Sequence, residues 1–321
     1  MITKEITYKK AFENKQQALR ERQTEYQKRL SKAYYENPRL AEIDQKLSQA
    51  GAQLALTALS GDKEKLEALK RLTEALSAEK AMLLKKAGVG KLQYACELCG
   101  DTGYVSGKIC ECIKKEAAAV MSAELSKEMP LSGSSFEAFD LKYYPDKTDK
   151  DGANPRRRMT SILNLCKAYA QSFDPAASSN LLFMGDTGLG KTHLTLAIVS
   201  EVIKKGCLPV YGSAENLFSA IEAEKFSGEG RGTYDAMLHC DLLVIDDLGA
   251  EMTTSFTKSV LYNLINTRLL SKKPTIINTN LTMKQLEALY TPRVSSRLVG
   301  NYDGQRFLGK DIRQQKMLEK S

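Results

Sequence analysis

The chain has 321 residues, 27% charged and 42% apolar, with a net charge of +8. This is the balance of an ordinary globular protein, with enough length for one large domain or two moderate ones. No apolar run approaches the roughly 18 residues of a membrane span, and the first ten residues lack a signal peptide's apolar core. A cytoplasmic protein with reduced cysteines and no membrane attachment is expected.

The positive charge is uneven. Residues 1–90 hold 18 Lys/Arg against 12 Asp/Glu, which is +6 of the +8. Such a surplus is either a solvated helical surface or a face for an acidic partner, protein or nucleic acid. Residues 4–36 are rich in Lys, Glu, Gln and Arg, a helix-forming composition. Ile43, Leu47 and Leu54 then share one face, and Leu66, Leu69, Leu72, Leu76 and Leu83 continue the stripe. Ser60-Gly61-Asp62 interrupts it, with Asp62 positioned as an N-cap. The pattern predicts a helical hairpin or small bundle over 1–90 that binds a partner. The stripe reads first as the module's own core and, alternatively, as a partner groove.

Four of the seven cysteines fall in Cys96-x-x-Cys99 and Cys110-x-Cys112. Two close pairs ten residues apart have the spacing of a small zinc ribbon or knuckle, and Gly100, Gly103 and Gly107 suit a tight hairpin between them. His193 and His239 are far away in sequence, so any site here is all-cysteine and structural, since four thiolates leave no open position. Four incidental thiols are the alternative. This predicts a zinc-binding module over 91–128, ending in a helix from 113 to 128.

A linker follows over 129–158. Its aromatics, from Phe136 to Tyr144, are expected to pack onto the next domain, and Arg156-Arg-Arg158 reads as a solvated helix start or, less directly, a nucleic-acid contact. From Met159 to the end, helices alternate with short apolar strands. The expected strands are 181–184, 208–211, 242–245 and 275–278, and the expected helices are 159–172, 191–205, 214–225, 255–271, 283–289 and 292–299. Alternation of this kind predicts an α/β fold built on a doubly wound parallel sheet, with ligands at the carboxyl ends of its strands.

Within that domain, Gly185-Asp-Thr-Gly-Leu-Gly-Lys-Thr192 fits G-x-x-x-x-G-K-[ST] between an apolar strand and an amphipathic helix. Gly185, Gly188 and Gly190 let the backbone aim its N–H groups at phosphate oxygens, and the helix N-terminus adds its positive end. The expected nucleotide-binding residues are Gly185, Asp186, Thr187, Gly188, Leu189, Gly190, Lys191, Thr192 and His193. Lys191 would reach the outer phosphates and the Thr192 hydroxyl would hold Mg²⁺. Leu242-Leu-Val-Ile-Asp246-Asp247 delivers two carboxylates, Asp246 for Mg²⁺ and Asp247 to orient the attacking water. After the strand at 275–278, Asn280 is placed to read the γ-phosphate, with Asn278 as the alternative. Arg293 and Arg297 lie four apart on one helical face, where one could enter a neighbouring subunit's site.

Gly185–Thr192, Asp246-Asp247-Leu-Gly249, Thr279-Asn280 and Arg293–Leu298, in this order, resemble the AAA+ ATPases of the DnaC/DnaI helicase-loader and IstB transposition-helper group. The resemblance covers residues 129–316, and the cysteine cluster resembles the helicase loaders more than IstB. It implies ATP hydrolysis, slow and stimulated by partners, with Lys191, Thr192, Asp246 and Asp247 as the Walker residues. Asn280 would be sensor 1 and Arg297 the arginine finger, with Arg293 second. Arg313 is the late candidate for sensor 2, since the chain after Asn301 is short for a helical lid. It also implies single-stranded DNA contacts at Lys225, Phe226, Arg231 and Tyr234, a hexameric replicative helicase as partner, and self-association through the ATPase domain. The alternative is a transposition helper that binds duplex DNA and a transposase. A non-hydrolysing nucleotide-binding adaptor is a third reading, which the intact Walker residues oppose.

Overall fold

The computed structural model describes residues 4–60, 62–128, 133–148, 152–227 and 232–320. Arg231, one of the expected DNA contacts, lies outside them. The chain divides into two compact units, residues 12–110 and residues 1–11 with 111–321. None of its described helices is long and apolar enough to cross a membrane.

The first unit is helical, as its composition predicts. Helix α1 spans Lys4–Glu36, α2 Arg39–Ser60 and α3 Lys63–Lys86. Asp62 caps α3, its carboxylate accepting from the backbone N of Lys65 at 3.1 Å. Helices α2 and α3 pair as a hairpin, and Leu40, Ile43, Leu69 and Leu76 are buried. Of the stripe, Ile43, Leu69 and Leu76 are buried, Leu47, Leu54, Leu66 and Leu83 are half-buried and Leu72 is 49% exposed, so it is the module's own core in part. Arg39 bridges Glu79 and Lys80 bridges Asp44 between the two helices. Beyond them a two-residue hairpin, β1 (Tyr104–Val105) and β2 (Lys108–Ile109), forms between the cysteine pairs.

In the second unit α4 (Glu111–Glu128) is followed by a linker whose Phe136, Phe139, Tyr143 and Tyr144 are buried, and then by α5 (Pro155–Ser172). The P-loop core comprises β3 (Asn180–Met184), α6 (Lys191–Lys204), β4 (Pro209–Ser213), α7 (Ala214–Ser227), α8 (Gly232–His239) and β5 (Leu242–Leu248). It continues through α9 (Ser255–Leu270), β6 (Thr275–Thr279), α10 (Met283–Tyr290), α11 (Pro292–Asn301), β7 (Tyr302–Arg306) and α12 (Ile312–Lys320). The sheet order is β4-β5-β6-β3-β7, and every pair is parallel. Strands β3, β5 and β6 lie inside the sheet, which is why β3 and β5 read as apolar runs rather than alternating ones and why all five residues of β6 are buried.

Strand β7 and helices α8 and α12 were not expected from the sequence. β7 reads Tyr-Asp-Gly-Gln-Arg and buries only Tyr302 and Gln305, an edge pattern with no apolar run. It pairs with β3 from Asn180↔Tyr302 to Met184↔Arg306, so the segment after Asn301 extends the sheet and then returns to the P-loop through α12.

Candidate nucleotide site and cysteine cluster

The loop after β3 has the backbone its glycines imply. Gly188 and Gly190 sit at φ 78° and 89°, a left-handed conformation that side-chain-bearing residues rarely adopt. Space enforces the same choice. A Cβ on Gly190 would meet the Phe139 ring at 2.7 Å, and one on Gly188 would meet the Asp311 carboxylate at 2.1 Å. The loop then feeds α6, whose first residue is Lys191.

Lys191 is buried. Its ammonium donates to the backbone oxygens of Gly185 and Asp186 at 2.6 and 2.8 Å and to Asn280 Oδ1 at 2.7 Å. Burial holds its pKa below the usual lysine value, while Asp247, Asp246 and Asp186 pull it back up. Asp246 is buried at the end of β5. Its Oδ1 accepts from Thr192 Oγ1 at 3.3 Å, Asn278 Nδ2 at 2.7 Å and the Asp247 backbone N at 3.1 Å, and its Oδ2 accepts from the Tyr211 hydroxyl.

Asp247 breaks the strand's alternation. It takes φ 52° inside a register shift between Ile245 and Leu248, a bulge that lets two consecutive carboxylates serve one site. The Asp247 side chain is exposed to the cavity. Partial burial raises its pKa, the charge of Asp246 adds to this, and Lys191 and Arg313 oppose it.

Lys191, Thr192, Tyr211, Asp247 and Asn280 line a cavity of about 440 Å³ together with Thr187, Leu189, His193, Phe139, Asp140, Tyr143, Arg313 and Lys316. The expected packing of the linker aromatics is met, and the linker also forms one wall of this cavity. Tyr144 donates its hydroxyl to Leu189 O at 2.9 Å, His193 Nε2 meets Ser135 O at 2.7 Å, and Phe139 tilts over the His193 ring. Opposite, the start of α12 is tied to the loop by Ile312 N donating to Gly188 O at 3.0 Å. Tyr211 and Lys316 escaped the sequence reading as site residues, because neither stands in or next to a motif, and Phe139 reads there only as a packing aromatic.

The remaining expected residues lie elsewhere. Arg297 is half-buried on α11. It donates to Asn266 Oδ1 at 2.9 and 3.0 Å and to the Tyr262 hydroxyl at 2.8 Å, with its guanidinium 4.4 Å from the Tyr262 ring centroid. Arg293 is exposed one turn earlier. At the end of α7, Lys225 lies over the Phe256 ring and Phe226 is 80% exposed, so Phe226 is not a core anchor. Tyr234 on α8 is half-buried against the domain core. Arg156 and Arg158 of the triplet are tied to Tyr144 O and to Arg306 O and Gln305.

The four cysteines converge. Their sulfurs all lie within 4.8 Å of one another, and no disulfide joins them. Cys96 Sγ and Cys110 Sγ are 3.8 Å apart. A tetrahedron with zinc–sulfur bonds of about 2.3 Å has edges of about 3.8 Å, so the donor set fits a structural zinc ion. The loop is braced by Asp101, whose buried carboxylate accepts from the backbone N of Ala95 and of Cys96, each at 2.9 Å, and pairs with Arg22 of α1 at 3.0 Å.

A glycine-rich loop from an inner strand, a strand ending in paired carboxylates and an all-parallel five-stranded sheet define a P-loop domain of the AAA+ ATPase type. Residues 167–296 match the family described as IstB-like ATP binding protein. The replicative helicase loader DnaC of Escherichia coli (strain K12) is 30% identical over 147 residues, 44% of this chain and 58% of that protein. DnaC of Buchnera aphidicola subsp. Acyrthosiphon pisum is 31% identical over 145 residues, with the same coverage. The chain thus spans somewhat over half the length of the curated relatives it matches. Among solved structures, the DnaC helicase loader aligns over 54% of this chain and 98% of that one at 22% identity, with a TM-score of 0.45. DnaI aligns over 57% and 92% at 22% identity, with a TM-score of 0.44.

Proposed function

We propose that this protein is an ATP-dependent loader of a hexameric replicative DNA helicase, working in the cytoplasm. The observation that carries the ATPase part is the convergence of Lys191 and Thr192 from α6, Asp246 and Asp247 from β5 and Asn280 from just past β6 onto one phosphate-sized loop. Lys191 has acceptors on all three of its N–H groups, and these bonds are the ones a phosphate would replace. Thr192 and Asp246 already touch and form a hard oxygen pair of the kind that takes Mg²⁺. That ion would supply neutralisation of phosphate charge. Asp247, opening onto the cavity, orients a water in line with the outer phosphate, and Asn280 follows that phosphate through Lys191.

Arg297 is held stiffly by Tyr262 and Asn266 on a partly exposed helix, as an arginine serving a neighbouring copy's site needs to be. Lys225, exposed Phe226, Arg231 and Tyr234 are the single-stranded DNA contacts of this reading, by backbone attraction and base stacking. The cysteines hold zinc, and residues 1–128 grip the helicase.

The similarity to DnaC favours the loader, and the match described as IstB-like keeps a transposition helper as the second reading. Co-elution with the replicative helicase of the same host, in ATP and in ADP, with and without residues 1–128, separates them. A complex lost on deletion supports the loader. No complex in either nucleotide, with tight duplex-DNA binding, supports the helper. ATP hydrolysis that disappears in Lys191→Ala and Asp247→Ala excludes a passive adaptor, and hydrolysis that survives both removes the assigned site.

A further inference from the structure

We infer that Tyr211 is a positioning residue for the divalent cation: its hydroxyl fixes the Asp246 carboxylate in the orientation that receives the metal. The inference rests on the nucleotide-site reading above and adds a residue to it. Tyr211 stands on β4, outside every phosphate-binding motif, and pairs in register with Val244 of β5. Its side chain is buried, yet it reaches the cavity wall beside Thr192, Lys191 and Asp247.

The division of donors over Asp246 gives the hydroxyl its role. Oδ1 carries three donors, from Thr192, Asn278 and the Asp247 backbone. Oδ2 takes the Tyr211 hydroxyl. Each carboxylate oxygen offers about two lone-pair directions. Oδ1 is therefore saturated, whereas Oδ2 keeps capacity, and Tyr211 decides which way that capacity faces. Asn278 is itself locked, with its Oδ1 accepting from buried Thr195 at 3.0 Å, so the carboxylate is clamped from both sides. Burial and the neighbouring Asp246 charge push the phenol's pKa upward, so Tyr211 stays a donor. Groups that orient a ligating carboxylate from behind typically contribute about tenfold or more to metal affinity.

The test is Tyr211→Phe in the full chain, which keeps the ring and removes only the hydroxyl. Binding of a fluorescent ATP analogue is measured without Mg²⁺ and across a Mg²⁺ titration. The expected result is unchanged Mg²⁺-free binding, with half-saturating Mg²⁺ raised on the order of tenfold. A Mg²⁺ curve that overlays the wild type overturns the inference and leaves the nucleotide site standing. Absence of any Mg²⁺ response in the wild type overturns both. Should the variant not fold, 3-fluorotyrosine at position 211 of the wild-type background gives a second readout. Its ¹⁹F resonance should move when Mg²⁺ is added to the nucleotide complex, and a stationary resonance rejects the role.

Discussion

Lys191 Nζ and Asn280 Oδ1 are joined by a 2.7 Å hydrogen bond that links the P-loop helix to the residue just past β6. With Gly185 O and Asp186 O it completes the three acceptors of the ammonium. Nucleotide has to displace at least part of this set, and Asn280 then changes partner with Lys191. The bond therefore couples occupancy of the phosphate site to the end of β6.

Changing only the charge of the acceptor tests this coupling. Asn280→Asp puts a carboxylate against Lys191, and a hydrogen bond to a charged group contributes about 1.5–3 kcal/mol against about 1 for a neutral one. The lysine is held back and the added negative charge repels phosphate. Nucleotide affinity should fall roughly tenfold or more, while Asn280→Ala should bind nucleotide nearly normally and lose hydrolysis. Equal affinities for the two variants in a titration would remove the coupling.

His193 gives the site a pH dependence. Its Nε2 contacts Ser135 O, Phe139 leans on the ring, and burial lowers its pKa below the ordinary value of about 6.5, with Lys316 adding to the effect. A group whose folded pKa is depressed contributes stability above its unfolded pKa, and loses it as pH falls through the folded value. The wild type should therefore melt progressively lower as pH drops below about 6.5. His193→Gln should lack that component, and parallel melting curves for the two proteins between pH 5 and pH 8 would rule it out.

The legible part of the fold is the part whose chemistry is local. The P-loop, the strand ending at Asp246 and the cap at Asp62 each announce themselves within a few residues. Long-range arrangement is written less plainly. Nothing in Tyr302–Arg306 states that it pairs with β3, because an edge strand needs only one buried face and Asp303 and Gly304 break the alternation. Tyr211 reaches Asp246 through strand order, and Phe139 reaches His193 across a 54-residue separation.

Zinc in the cysteine cluster makes a quantitative expectation. Metal analysis of the purified full chain should find one zinc ion per chain, and Cys96→Ser or Cys112→Ser should lose it. Asp101 holds the amides of Ala95 and Cys96 and pairs with Arg22, so it orients the loop that carries the first ligand. Asp101→Ala should release zinc to a chelator with about tenfold lower affinity, the cost typical of removing an outer-shell partner. Release identical to the wild type would reduce Asp101 to a packing role.

Arg268 is the most deeply buried charge of the ATPase domain, 1% exposed at the end of α9. Its guanidinium donates to the backbone oxygens of Met237 and Pro274 at 2.6 Å, of Leu238 at 3.1 Å, and to Thr275 Oγ1 at 2.9 Å. No carboxylate is among these partners. The charge is instead met by carbonyl dipoles, two of them from the last turn of α8, where a cation complements the helix macrodipole. One side chain thereby ties the α8 end and the start of β6 to α9. Arg268→Ala leaves those carbonyls buried without donors, each costing about 1–3 kcal/mol where water cannot enter. A total of about 3–5 kcal/mol is expected, and for a domain of this size each kcal/mol lowers the melting temperature by about 2–4 °C. Arg268→Lys should recover little, because a single ammonium cannot reproduce the planar fork. Arg268→Met measures the net value of the charge. A melting temperature within a few degrees of wild type would mean that desolvation cancels the hydrogen bonds, as happens for some buried charges, and that the arginine specifies the α8 position rather than stabilising it.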